Sequence, residues 1–152
     1  MKHFKISIVF FLTLVSALNS NCQGLKVVLN ALKERKVGKT ISGKFKQNVS
    51  QATYLGTIQG EMGRVRFHIV KEYYKVKAAI VYHGHSRILF FNSSNHLVAQ
   101  TIFDMPNELP YKIINNVLYF KTSDPTLSNF KNIYITDTLP KEINGYFVQI
   151  EK

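Results

Sequence analysis

The segment His83-Gly84-His85 is the one local arrangement in the sequence whose spacing suits metal chemistry. Residues i and i+2 of a β-strand point to the same side, so both imidazoles would lie on one face, about 7 Å apart at the backbone. Imidazole is a common zinc ligand, but a zinc site needs at least three protein ligands. His68, Glu72 or His96 would have to supply the third from neighbouring strands.

The residues around this segment weaken the metal hypothesis. Lys75, Lys77 and Arg87 are predicted to share the face of the two histidines, where they would repel a dication. Only 9 Asp and Glu stand against 20 Lys and Arg, so carboxylate ligands are scarce. A metal-dependent enzyme centred on His83 and His85, with His68 as a further candidate ligand, is therefore kept as an alternative, and no cofactor is predicted.

Other catalytic patterns are weaker still. The sequence has no Gly-x-Ser-x-Gly motif, and its one cysteine, Cys22, falls in the segment interpreted below as a signal peptide. The candidate carboxylates lie mainly in predicted loops or at strand ends, without a pattern. They are Asp104, Glu108, Asp124, Asp137, Glu142 and Glu151. An acid–base pair could still be assembled by the fold, so catalytic residues stay unassigned.

Basic residues on predicted strands form the main candidate binding surface. All of them occupy the strand phase opposite the presumed core residues, which predicts one basic sheet face. They are Lys44, Lys46, Arg64, Arg66, Lys75, Lys77 and Arg87. The charge is uneven along the chain, since residues 23–103 carry 13 Lys and Arg against three Glu, whereas residues 104–152 carry five against six Asp and Glu.

Such a face attracts polyanions, and the predicted partners are anionic lipid, acidic polysaccharide or an acidic protein surface. Nucleic acid ranks last, because an exported protein rarely meets it and no aromatic RNA-binding motif or helix-turn-helix pattern is present. The plainer interpretation is that these residues solvate the sheet and prevent its edges from pairing. The sequence leaves both interpretations open.

The N-terminus has the layout of a secretory signal. Lys2 and Lys5 precede an apolar run from Ile6 to Leu18, and small polar residues follow up to Cys22. That run would cover about 20 Å as a helix, too little for a hydrocarbon core of about 30 Å, and no later stretch is as apolar. We expect residues 1–22 to be removed, giving a secreted, periplasmic or cell-envelope protein without a transmembrane segment. Acylation of Cys22 as a lipoprotein anchor is the alternative.

The remaining pattern predicts an all-β domain with one N-terminal helix. Leu25, Val28, Leu29 and Leu32 recur at helical spacing, so residues 23–38 are assigned to an amphipathic helix that spans residues 25–37 and ends at Gly38. Between residues 39 and 152, some segments alternate apolar and polar residues with a period of two. Others are rich in β-branched and aromatic residues, and both features favour strands. The predicted strands cover residues 40–46, 53–60, 64–69, 74–82, 86–91, 96–103, 111–114, 117–121, 132–137 and 145–151.

The connections between these strands favour antiparallel pairing. Residues 92–95 and Asn115-Asn116 are predicted as hairpin turns, and the longer loops 104–110, 122–131 and 139–144 each contain proline. The fold class is therefore mainly an antiparallel barrel or sandwich. The function favoured by the sequence is a non-enzymatic exported binding module, with the metal enzyme and a carrier of a small apolar ligand as alternatives.

Overall fold

The computed structural model describes residues 25–78 and 81–151. The predicted signal peptide and Cys22 lie outside the described residues. The fold is all-β with one short helix at the N-terminal side, as predicted, and the helix α1 spans residues 25–34. The described residues form eleven strands, β1 (Thr40–Phe45), β2 (Asn48–Gln59), β3 (Val65–Ala78), β4 (Val81–Asn92), β5 (Leu97–Phe103), β6 (Lys112–Ile114), β7 (Val117–Tyr119), β8 (Ile133–Tyr134), β9 (Glu142–Ile143), β10 (Tyr146–Phe147) and β11 (Gln149–Ile150).

Six strands form one antiparallel sheet in the order β1-β2-β3-β4-β5-β11. The first five follow one another as hairpins, and the last strand of the chain adds to the free edge of β5. Two small sheets, β6-β7-β8 and β9-β10, are separate. The large sheet is open, with β1 and β11 at its edges, so its described strands form a layer of a sandwich and not a barrel.

Each face of the large sheet is covered by a different part of the chain. On the helix face, which carries Val70 and Leu89, the buried side of α1 packs through Val28 and Leu32. On the back face, which carries Ile69, Phe90 and others, the small sheets contribute residues such as Leu118. The central part of β3 is therefore buried on both sides. No helix among the described residues is long and apolar enough to cross a membrane.

The helix ends earlier than its apolar pattern predicts. Arg35 follows the last helical residue with a φ of 50°, and its N–H still bonds the carbonyl of Ala31 at 3.1 Å. This left-handed residue ends the helix, which is the role expected of Gly38. Gly38 instead has a φ of 77° in a turn closed by a hydrogen bond from Lys39 N to Lys36 O, the geometry that favours glycine at the third position of a type II turn.

The predicted strand over residues 74–82 is wrong, because the chain reverses there. β3 runs without interruption from Val65 to Ala78, and Ala78 pairs with Val81 at the start of β4. The apolar residues change phase between Phe67 and Val76, and in the sequence this change resembles a break between two strands. It arises because the two faces of this continuous strand are buried over different parts of its length.

The turns confirm one prediction and correct another. Asn115 and Asn116 have φ values of 49° and 63° and join β6 to β7 as expected of a type I′ turn. Asn144 and Gly145, at 50° and 87°, join β9 to β10 in the same way, although residues 139–144 were predicted to be a loop. The Asn-Gly pair is the signal that identifies this hairpin.

Candidate basic site and adjoining pocket

Four of the seven predicted basic residues meet at one end of the large sheet. The β1–β2 turn lies at this end, where β3 also ends and β4 begins, and we call it the distal end. Lys44 ends β1, Lys46 lies in the β1–β2 turn, and Lys75 and Lys77 lie near the end of β3. We refer to Lys44, Lys46, Lys75 and Lys77 as the distal lysine cluster.

The strand register fixes the relative positions of the cluster members. Lys44 and Lys75 both pair with Val49 of the intervening strand, so both side chains project from the back face. Their Cα atoms are about 10 Å apart. Lys77 follows two residues later on that face. Its backbone N–H donates to Asn48 Oδ1 at 3.1 Å, which holds the β1–β2 turn, and with it Lys46, beside β3.

Aromatic rings support the cationic side chains of the cluster. The Nζ atoms of Lys75 and Lys77 lie 4.4 and 5.8 Å from the centre of the Tyr82 ring, and Lys46 Nζ lies 5.7 Å from the centre of the Phe45 ring. A cation above a ring keeps its hydrogen-bond donors available on the other side. No member of the cluster forms a salt bridge with another described residue.

Arg87, a fifth predicted member, belongs to the helix face and is engaged there. Its Nε donates to Glu72 Oε2 at 2.7 Å, and its Nη1 donates to Gln100 Oε1 at 3.0 Å. Glu72 is buried, and its other oxygen accepts from Ser50 Oγ at 3.0 Å. Arg87 thus neutralises a buried carboxylate across the strand pair β3–β4.

Arg64 and Arg66 lie at the opposite end of the sheet. Both are exposed next to the β2–β3 turn, and Arg66 Nε donates to the carbonyl of Asp137 at 3.0 Å. Arg66 and Lys77 are 11 residues apart on one strand, a distance of about 36 Å. The seven residues therefore do not share one face, as the sequence analysis assumed, but fall into three separate groups.

The three candidate histidines do not converge either. His83 and His85 are exposed and share the helix face, pairing with Val76 and Tyr74. His68 lies on the same face but pairs with Phe91, about 20 Å along the sheet from His85. Lys75 and Lys77 point away from the histidines, since they lie on the back face. No group of three metal-binding side chains comes together among the residues that the structure describes.

His68 is instead part of a buried hydrogen bond under the end of α1. Its Nδ1 lies 2.9 Å from the hydroxyl of Tyr54, and both residues are at least 97% inaccessible to solvent. Burial, together with the nearby charge of Arg35, lowers the pKa of His68 below its ordinary value. The neutral imidazole serves as a core residue, whose burial the strand phase of the sequence did not predict.

A pocket of about 180 Å³ opens on the helix face beside the distal lysine cluster. It lies between the first half of α1 and strands β1, β2 and β3. Its polar and aromatic lining includes Lys26, Asn30, Phe45, Asn48, Ser50 and Tyr74. None of these residues was predicted from the sequence to form a pocket, because their convergence depends on the docking of α1 and on a register that no local pattern specifies.

Gly43 sets the depth of this pocket by allowing α1 to approach β1. A Cβ atom at Gly43 would lie 2.5 Å from Cγ2 of Val27, closer than any real contact. Any residue larger than glycine at this point would force the Val27 side chain or α1 to shift. The strand pattern of the sequence shows Gly43 in the apolar phase, but does not indicate what it faces.

No protein-family model matches the chain, and no curated protein or solved structure is significantly similar to it.

Proposed function

We propose that this chain is a non-enzymatic binding module that attaches to an anionic surface or polymer through the distal lysine cluster. The observation that supports the proposal is the grouping of four lysines at one end of the sheet without an ionic partner among the described residues. Adjacent cations that no carboxylate neutralises raise the local potential, and their repulsion is relieved by an anionic ligand.

The contrast with Arg87 explains why the cluster, and not the whole set of predicted cations, is the proposed surface. Arg87 already has a buried counter-ion in Glu72, and its side chain is only 32% exposed. Lys44 and Lys46 are exposed, and Lys75 and Lys77 are partly exposed above a tyrosine ring. Their ammonium groups can reach a ligand without breaking an existing ion pair.

The proposal is tested by binding of the full chain to heparin, a soluble polyanion, over a series of salt concentrations. Lysines near an anionic surface contribute about 1 kcal/mol each, so replacing all four cluster lysines by Gln should weaken binding by at least about a hundredfold. The affinity of the wild type should fall steeply with salt, because counterions are released on binding.

A matched control has the same net charge as the cluster variant. Lys33, Lys36, Lys131 and Lys141 are exposed and lie away from the distal end, and their replacement by Gln also removes four charges. This control should bind nearly as well as the wild type. Equal losses in the two variants would mean that only the net charge matters, and the cluster would have no specific role.

Export of the protein is part of the same proposal, because a polyanion at the cell surface or outside the cell must be accessible. The support is the signal-like sequence of residues 1–22. Intact-mass analysis of the protein made by its native host should give a chain that begins at Gln23. An uncleaved chain, or an acylated Cys22, would contradict the assigned cleavage site.

A further inference from the structure

We propose that the helix-face pocket binds a single sugar residue that carries a carboxylate, which makes an acidic polysaccharide the anionic partner of the distal lysine cluster. The polysaccharide part of this inference rests on the proposed function. The affinity of the pocket for a free acidic monosaccharide does not, and it can be measured separately.

The size of the pocket fits one sugar ring. A water molecule needs about 10–15 Å³ of cavity volume, so a pocket of about 180 Å³ has room for a group of about a dozen heavy atoms. A pyranose ring with its substituents is of this size, whereas a long acyl chain or a folded peptide segment is larger. The pocket is bounded by α1 on one side and by three strands of the sheet on the other.

The lining combines apolar walls with hydrogen-bonding groups in the way a sugar requires. Val27, Ile41 and Phe45 offer apolar surface to the C–H face of a ring, and the amides of Asn30 and Asn48 can both donate and accept hydrogen bonds. A purely apolar ligand would leave these polar groups without partners, which is unfavourable. The hydroxyl groups of a sugar would satisfy them.

Two hydroxyl groups at the base of the pocket have different roles. Ser50 Oγ donates its proton to Glu72, so it can only accept a hydrogen bond from a ligand. The phenol of Tyr74 can donate a hydrogen bond, and burial, with a smaller effect of Glu72, raises its pKa further above the ordinary value. An acceptor and a donor side by side match the hydroxyl groups of a sugar ring.

The charge of the lining selects an anionic sugar. Lys26 lines the pocket from α1, and none of the described lining residues is acidic. Lys44 also borders the pocket, but its side chain projects from the back face. The nearest buried carboxylate, that of Glu72, is already neutralised by Arg87. A carboxylate on the bound sugar would therefore be attracted to Lys26 without repulsion from the pocket walls.

The pocket and the distal lysine cluster also share residues, so one polymer can occupy both. Phe45 lines the pocket and lies under Lys46, and Asn48 lines the pocket while it holds the backbone of Lys77. The pocket opens on the helix face, whereas Lys44, Lys75 and Lys77 project from the back face, so a polysaccharide chain would reach them by passing over the distal end of the sheet, beside Lys46. A lipid headgroup is tethered to a flat membrane surface, whereas the end of a polysaccharide chain can bend into a recessed polar pocket, which favours the polysaccharide over the membrane.

The test uses the full chain and the monosaccharides glucuronic acid and galacturonic acid, with glucose and galactose as uncharged comparisons, in an NMR titration. The acidic sugars should bind and the neutral sugars should bind more weakly. Lys26→Gln and Tyr74→Phe should each weaken binding of the acidic sugars by about tenfold, because the first removes the charge that attracts the carboxylate and the second removes a hydrogen-bond donor. Both changes are small, so the fold should be retained.

The controls are on the same elements but outside the pocket. Lys33→Gln removes a charge from the exposed side of α1, and Tyr73→Phe removes a hydroxyl from β3 on the back face. These variants should bind the acidic sugars like the wild type. If they lose as much affinity as the pocket variants, or if no acidic sugar binds, the pocket proposal is overturned.

The outcome for the pocket is distinguishable from the outcome for the cluster. A variant in which Lys46, Lys75 and Lys77 are replaced by Gln leaves every lining residue of the pocket unchanged. If this variant binds heparin more weakly but still binds glucuronic acid, both proposals are supported. If glucuronic acid binds in the pocket while heparin binding is indifferent to the cluster, the proposed function fails and the pocket remains. Binding to phosphatidylserine vesicles that is stronger than binding to any acidic polysaccharide, and equal in wild type and pocket variants, would refute the polysaccharide assignment.

Discussion

Arg87 Nε and Glu72 Oε2 lie 2.7 Å apart on the helix face of the sheet, with the carboxylate 1% and the guanidinium 32% exposed. The two residues are direct partners in the β3–β4 register. Ser50 and Gln100 extend the contact to both neighbouring strands. The ion pair and its two hydrogen-bonded neighbours therefore connect the adjacent strands β2, β3, β4 and β5. They lie between the part of the sheet that α1 covers and the distal end.

The ion pair predicts a strong dependence of stability on Arg87. Arg87→Gln leaves the buried Glu72 carboxylate without its counter-ion, and the free energy of unfolding should fall by about 3 kcal/mol. Adding Glu72→Gln removes the uncompensated charge, so the double variant should recover most of that loss. Urea denaturation of the single and double variants measures both effects.

Heparin affinity gives an independent check on the same residue. Under conditions where Arg87→Gln remains folded, it should bind heparin within about twofold of the wild type, because its guanidinium is already engaged. Lys75→Gln should reduce the affinity more. The reverse order would return Arg87 to the binding surface that the sequence predicted.

The buried pair of His68 and Tyr54 predicts sensitivity to acid. The pKa of His68 is lowered by burial and then by Arg35, so the folded state binds fewer protons than the unfolded state below the ordinary pKa of 6.5. This contribution is complete above 6.5 and is lost as the pH falls toward the lower pKa of the folded state. The melting temperature should therefore fall between about pH 7 and pH 5.

A variant at His68 separates this effect from general acid denaturation. His68→Gln can still bond Tyr54 but does not titrate, so its melting temperature should change less over the same pH interval. The matched control is His96→Gln, which alters an exposed histidine in the β4–β5 loop and should retain the wild-type pH dependence. An unchanged slope in His68→Gln would show that other groups cause the acid sensitivity.

Local patterns predicted the elements of this fold well and their faces poorly. Alternation identified β1, helical spacing identified α1, and the paired asparagines identified the Asn115-Asn116 turn, because each of these signals depends on neighbours in the chain. Alternation alone did not define every strand. It failed on β3, where Ile69 and Val70 are both fully buried by different layers. Which face of a doubly covered strand a residue occupies depends on the partners that dock onto it.

The candidate site shows the same limit. Lys75 and Lys77 were correctly placed on one face, but Arg87 was assigned to that face through the wrong strand boundary. The pocket residues were missed because Asn30 comes from α1 and Tyr74 from β3, more than 40 positions later in the chain. A basic composition could indicate the kind of partner, but not where the lysines gather.

Gly43 predicts a steric dependence between the helix and the sheet. Gly43→Ala places a methyl group against Cγ2 of Val27 and should reduce the free energy of unfolding by about 1–3 kcal/mol, because α1 must move. In a Val27→Ala background the clash is absent, and the same substitution should be neutral or stabilising. Urea denaturation of the four proteins provides this cycle. Additive losses would mean that Val27 does not contact Gly43 in solution.

Asn116 predicts how the C-terminal layer is attached to the large sheet. Its Oδ1 accepts from Gln59 N at 2.8 Å and its Nδ2 donates to Gln59 O at 2.6 Å, so the side chain pairs with the end of β2 as a neighbouring strand would. Asn116→Gly keeps the left-handed turn but removes both bonds, and should cost about 1–2 kcal/mol of unfolding free energy beyond the effect of the added glycine.

The control is Asn115→Gly in the same turn. It has only the entropic effect of the added glycine, since Asn115 has no side-chain hydrogen bond to another described residue. Urea denaturation of the two variants, with hydrogen exchange at the Gln59 amide, measures the difference. Equal stabilities and equal exchange rates would show that the small β6-β7-β8 sheet is held by its apolar contacts, and that the Asn116 amide does not fasten it to β2.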